Sequence, residues 1–372
     1  MDKETPQYNA ADLLKILSNS GFAQDQVELT RVILSEYQAR EFPVYLKLIL
    51  SMGAFISAAC LIFFLTGVKL IHYNRASEMF IWSMIFMGTA LAIWLFSVPN
   101  NKTKHWFFIP FSFALMIAGK LLFVFALSNF WHSAWSMTLG WFMVAAVTYT
   151  IYPLSLDRFF SAFAFLSSLF IEIVSNVHFN QGRSLLLDGV ILFQFVGAVI
   201  LLIWTRSNRN YSSLAYAFVC SLCSSVLFLC TNKYFFRLSY EELLHSIFFM
   251  NLLLTGGLIA LFAWVAGGLQ KLKTEPLLLA SIVAVLLGII SVPGVLLSIA
   301  LLILGYAQHE KPLVILGILL MPVFLFLYYY SLDVSLLQKS FILLGSGAIL
   351  LMGRGYLHYK GWNKGTVSCV QK

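Results

Sequence analysis

The chain is poor in charged residues. Only 11% of its 372 residues are Asp, Glu, Lys or Arg, whereas 60% are hydrophobic. Soluble domains carry about 25% charged and about 45–50% apolar residues, so this composition excludes an ordinary soluble protein. The apolar runs last about 20 residues and lack strand-like alternation, which favours spanning helices over a β-barrel. The sequence therefore predicts an all-α, polytopic transmembrane helical bundle.

Several sequence signatures of other classes are missing. No basic segment precedes an apolar core at the N-terminus, so we expect no cleavable signal peptide. The histidines show no metal-ligand spacing, and there is no His-Glu-x-x-His, Walker-type or Gly-x-Ser-x-Gly motif. The five cysteines lie mostly inside apolar runs and do not form a disulfide framework. We therefore expect no enzymatic activity, no metal and no cofactor.

The net charge of +8 does not indicate a nucleic-acid-binding surface. Its basic residues are scattered among short loops, which is typical of membrane topology. We accordingly expect membrane lipids as partners and no nucleic acid.

The chain divides into three predicted regions. Residues 1–45 are predicted to form two short amphipathic helices on the cytoplasmic side, which fold onto each other, the membrane surface or a partner. The alternative is a cytoplasmic lead-in with no binding role. Residues 46–354 form the bundle, and residues 355–372 form a short basic cytoplasmic tail. About twelve spans are predicted, near 46–68, 79–98, 106–128, 131–152, 156–177, 184–205, 211–231, 243–269, 275–291, 293–308, 312–331 and 333–353.

The segment 275–308 decides the orientation of the last spans. A single helix of this length would measure about 48 Å at 1.5 Å per residue, which exceeds a ~30 Å hydrocarbon core. Two short helices around Pro293-Gly294 fit better, although the pattern leaves open two full spans or a re-entrant hairpin. With two crossings, seventeen of the 24 Lys and Arg residues fall inside and five outside. The positive-inside rule then predicts that both termini are cytoplasmic.

The C-terminal region resembles a known family. The matching residues are Pro293-Gly294, Gly305, the run Tyr328–Tyr330, Leu332-Asp333, Leu336-Leu337, Lys339-Ser340, Gly345-Ser346-Gly347 and Arg354. On these residues the sequence resembles the bacterial inner-membrane proteins of the domain-of-unknown-function 4401 family. The resemblance implies a multispan bundle in the bacterial inner membrane and a companion membrane protein. It implies no catalytic residue.

Ionisable residues at membrane depth are the candidate site. Charges near the bilayer centre are costly and mark function or internal pairing. We predict a Lys–carboxylate pair in the outer half of the bundle, either Lys120 with Glu172 or Lys339 with Asp188, and a purely structural ion pair is the alternative. The full candidate set is Lys120, Glu172, Asp188, Asp333, Lys339, His245 and Asn251, with Asp333 and His245 at the mouth and Gln194 as a further polar neighbour.

Two other features are interpreted as follows. Cys220 and Cys223 have Cys-x-x-Cys spacing, but they fall within an apolar span, so packing is favoured over redox chemistry. The many spans and the buried charges favour transport of a small solute or lipid-like molecule. The main alternative is a scaffold or sensor subunit that binds a partner through its N-terminal helices. A third option, an intramembrane enzyme of envelope chemistry, is disfavoured by the missing acid/base pairs.

Overall fold

The computed structural model is helical in every regular element of the residues it describes. It describes residues 44–70, 75–97, 102–133, 135–152, 154–176, 183–205, 211–231, 240–268, 274–290 and 292–331, with the isolated positions 72, 337, 340, 344, 351 and 355. Apart from those isolated positions, the predicted N-terminal helices, the predicted span 333–353 and the basic tail lie outside these residues, as do Asp333 and Lys339. No strand occurs in the described part of the chain.

Eleven helices are present in the described residues. Eight of them are long and apolar enough to cross a membrane, and three shorter apolar helices, α4, α9 and α10, have 16 residues each. This confirms a helical membrane bundle. The helices are α1 Val44–Gly67, α2 Ala76–Ser97, α3 Lys102–Trp131, α4 Ser136–Ile151, α5 Ser155–Asn176, α6 Arg183–Thr205, α7 Ser212–Thr231, α8 Tyr240–Ala266, α9 Glu275–Ile290, α10 Pro293–Gln308 and α11 Lys311–Ser331.

The break within the predicted segment 275–308 is confirmed. Helix α9 ends at Ile290, and α10 begins at Pro293. Proline suits this first position because its missing N–H would have no partner in the helix and its fixed φ matches helical backbone. At 1.5 Å per residue each 16-residue helix is about 24 Å long.

The chain forms two compact units, residues 1–168 and residues 169–372, and the division falls within α5. In the first unit α3 packs against α1, α2 and α4. Glycine allows the α2–α3 contact, because a Cβ on Gly119 would lie 2.8 Å from the Met87 side chain and 3.0 Å from the Met87 backbone nitrogen. Small residues permit such close helix approach in membranes.

In the second unit α8 packs against α6, α9 and α10, and α10 packs against α11. The apolar core includes Ile191 of α6, Val226 of α7, Met250 of α8 and Leu296 of α10. Helix α10 approaches α11 closely, because a Cβ on Gly294 would lie 2.0 Å from the Phe324 ring. These helices position the polar groups and the cavity described next.

Candidate functional site

Lys120 of α3 is enclosed in the first unit and uses all of its hydrogen-bond donors. Lys120 and Asp157 are each only 1% exposed. The Lys120 Nζ lies 2.6 Å from both Asp157 Oδ1 and Oδ2, and 2.7 Å from Ser161 Oγ. An ammonium group has three donors, so this cluster of Lys120, Asp157 and Ser161 leaves none available for a ligand.

The predicted Lys120–Glu172 pair is wrong, because the carboxylate bound to Lys120 is that of Asp157. Asp157 and Ser161 stand one turn apart on α5, so both face the same lysine. Asp157 is the third residue of α5, where the N-terminal helix dipole favours a negative charge. Glu172 is buried but lies fifteen residues further along α5, about 22 Å at 1.5 Å per residue.

The Lys120–Glu172 prediction failed because α4 is shorter than the predicted fourth span. The predicted span 131–152 would be about 33 Å long, whereas α4 runs from Ser136 to Ile151 and is about 24 Å long. The start of α5 therefore lies beside the middle of α3. Lys120 is also central in the apolar stretch Phe107–Trp131 rather than in its outer half.

A second polar group lies beside this cluster. The Ser112 hydroxyl donates to the Ala90 carbonyl oxygen at 2.7 Å. Because this uses its single hydrogen, the Tyr152 hydroxyl is the donor in the 2.8 Å bond to Ser112 Oγ. The two bonds join the α4–α5 connection to α3 and α2, so they also belong to the internal support of the first unit.

The second unit brings together two of the predicted residues, Asp188 and His245. Asp188 of α6 is 8% exposed, and its Oδ2 lies 3.3 Å from Nδ1 of the exposed His245 of α8. The other oxygen, Oδ1, is buried and has no hydrogen-bond partner among the described residues. Asn251 lies six residues further along α8 and is half-buried. The predicted Asp188–Lys339 contact and the position of Asp333 remain predictions, because Lys339 and Asp333 lie outside the described part.

Gln194 joins α6 to α7 in the interior of the second unit. Its Nε2 donates to Ser221 Oγ at 2.9 Å, and Ser225 Oγ donates to its Oε1 at 2.9 Å. Gln194 and Ser221 are fully enclosed, and Ser225 is nearly so. Since both ends of the amide are bonded to α7, Gln194 links α6 to α7.

A cavity of about 340 Å³ lies between α6, α7, α8 and α10 in the second unit. Apart from Gln308, its lining side chains are apolar, with the indole of Trp264 as the one aromatic group that also carries an N–H. On α6 the lining includes Phe195 and Leu202. These residues follow Asp188 by seven and fourteen positions, so all three share one helix face.

The cysteine pair lies on α7, beside the two serines that are hydrogen-bonded to Gln194. Cys223 is buried and Cys220 is half-buried, and both are free thiols. Ser221 and Ser225 alternate with them along the helix. In the described residues no three His, Cys, Asp or Glu side chains are grouped so that they could hold a metal ion.

The long apolar helices and the enclosed polar groups define a multi-pass helical membrane protein. Within that class, the family model described as "Domain of unknown function (DUF4401)" matches residues 43–360. The chain belongs to this family, as its C-terminal motifs indicated. Comparisons with curated proteins and with solved structures find no match.

Proposed function

We propose that the protein is a non-enzymatic transport protein of the bacterial inner membrane, which moves a small solute or a lipid-like molecule through the second unit. The observation that supports this is the shared face of α6. Asp188 lies near one end of that face, and Phe195 and Leu202 line the cavity further along it. Seven residues of helix separate Asp188 from Phe195, which is about 10 Å.

Asp188 supplies a polar group that a molecule on such a route could bind. A buried acceptor without a donor is costly, and the described residues provide no donor for Asp188 Oδ1. A hydrogen-bond donor of a passing molecule would satisfy it. His245 is 67% exposed at its side chain, so the Asp188–His245 contact lies at the surface of the second unit.

The proposal includes the membrane topology. Twelve spans, with α9 and α10 as two short crossings and both termini cytoplasmic, agree with the distribution of Lys and Arg. In this arrangement Asp188 and His245 lie at the periplasmic end of the second unit. The Gln308 end of the cavity then faces the cytoplasm.

The test is flux in proteoliposomes. Two probes cover the two substrate classes: a trapped extract of ¹³C-labelled polar metabolites, and a phospholipid with a fluorescent nitrobenzoxadiazole head group whose leaflet is read by dithionite quenching. We expect vesicles that contain the wild-type protein to lose a trapped solute, or to move the labelled lipid between leaflets, faster than vesicles without protein. Asp188→Asn should reduce this at least tenfold.

The matched control makes the same carboxylate-to-amide change at Glu275, which is exposed on α9. Glu275→Gln should retain the wild-type rate. If neither probe moves faster with the wild-type protein than without it, the transport proposal fails.

One observation favours the scaffold alternative. The cluster of Lys120, Asp157 and Ser161 is closed, with every lysine donor used inside the protein, as expected for a structural element. For a scaffold, deleting residues 1–42 should remove a co-purifying companion membrane protein while flux remains at the empty-vesicle level.

A further inference from the structure

The cavity in the second unit is elongated along the helices. On α8 its lining runs from Leu254 to Trp264, and on α10 from Leu297 to Gln308. Ten residues of helix measure about 15 Å, which is half of a ~30 Å hydrocarbon core. The cavity is therefore about one lipid leaflet long.

The lining indicates a hydrocarbon occupant. A bound water needs about 2–4 polar partners, and apolar cavities stay dry and bind apolar molecules; away from its Gln308 end this cavity of about 340 Å³ has an apolar lining. Its volume is in the range of ligand sites, which are mostly apolar with a few polar groups that fix orientation. Water is thus a poor occupant.

The polar groups are confined to one end. Gln308 is the last residue of α10, and Trp264 lies near the end of α8. Trp264 combines an apolar ring with an N–H donor, which suits the membrane–water interface. Close by in sequence, Glu310 accepts a 2.8 Å hydrogen bond from the Tyr216 hydroxyl of α7.

We propose that this cavity binds one acyl chain of a bilayer phospholipid, with the chain lying along α8 and α10 and the head group at the Gln308 end. The phospholipids of the surrounding bilayer provide this acyl chain. The proposal does not require that the protein transports anything, since a resident lipid would occupy the same space.

The test uses a phospholipid that carries a photoreactive diazirine halfway along one acyl chain, incorporated with the full-length protein into nanodiscs. After irradiation, labelled residues are mapped by mass spectrometry. We expect labelling at Leu258 and Leu301, which line the cavity and are 2% and 4% exposed. Outward-facing residues such as Leu252, 63% exposed, report general contact with lipid.

Two tryptophan substitutions on α10 form a matched pair. Ala300 lines the cavity, so Ala300→Trp should fill it and reduce labelling of Leu258 and Leu301 at least fivefold. Ala307 is exposed on the same helix, and Ala307→Trp should leave that labelling unchanged. Labelling of Leu252 should be equal in all variants. If Ala300→Trp does not fold, Ala260→Phe fills the cavity from α8.

The proposal fails if Leu258 and Leu301 are not labelled in the wild-type protein. It also fails if their labelling persists at full yield in Ala300→Trp or its substitute Ala260→Phe. Asp188→Asn separates this result from the flux experiment, because Asp188 is not in the cavity lining. It should reduce transport at least tenfold while leaving acyl-chain labelling intact.

Discussion

Replacing Lys120 with methionine should destabilise the first unit more than any exposed charge substitution. Methionine keeps the apolar stem of the side chain but removes the ammonium group. Asp157 then loses the donor that lies 2.6 Å from both of its oxygens. It is left as a buried carboxylate in apolar surroundings, which is the costly state.

The magnitude follows from the enclosure of both groups, each 1% exposed, so solvent screening does not reduce it. Breaking a buried ion pair from one side costs about 3–5 kcal/mol, whereas replacing both partners by apolar residues is often neutral. We expect Lys120→Met and Asp157→Leu each to lower the free energy of unfolding by about 3–5 kcal/mol. The double variant should lie within about 1 kcal/mol of wild type.

The assay is equilibrium unfolding of purified protein in mixed micelles, followed by helical circular dichroism as sodium dodecyl sulfate is increased. Lys311→Met is the control, because Lys311 is exposed at the start of α11. Its effect should stay within about 0.5 kcal/mol. The reasoning is refuted if Lys120→Met costs no more than this control, or if the double variant loses the sum of the two single losses.

Two further predictions concern the cysteines and the topology. Changing Cys220 and Cys223 together to serine should leave unfolding and flux nearly unchanged, because the thiols act as small packing groups and serine can bond within its own helix in lipid; loss of activity in the folded double variant would contradict this. Reporters fused within residues 1–40 and after Arg354 should read cytoplasmic, and one after His178 periplasmic. A periplasmic C-terminus would reverse the topology proposed for α9 and α10.

The helices were predictable because lipid imposes a simple rule on the backbone. Every backbone N–H and C=O needs a partner in the hydrocarbon layer, so apolar runs of the right length become helices. The predicted span 156–177 corresponds to Ser155–Asn176, and 293–308 corresponds to Pro293–Gln308. The break before Pro293 was visible because proline cannot continue a helix through its N–H.

The partners within the site were less predictable, because they depend on helix length rather than on composition. The residues 131–135 are apolar enough to extend the predicted fourth span, yet α4 begins at Ser136. That difference of five residues brings Asp157 to Lys120. The spacing of Asp157 and Ser161, one turn apart, was the sequence signal that could have identified the pair.

Two buried carboxyl groups of the described residues differ in how completely their oxygens are bonded. Both oxygens of Asp157 are bound by Lys120, whereas Asp188 has one oxygen near His245 and one without a partner among the described residues. Depth in the membrane cannot distinguish them, since each is enclosed by helices. The number of satisfied hydrogen-bonding positions can, because it is complete for Asp157 and incomplete for Asp188 among the described residues. We therefore expect substitution of Asp157 to change stability, and substitution of Asp188 to change the movement of a ligand.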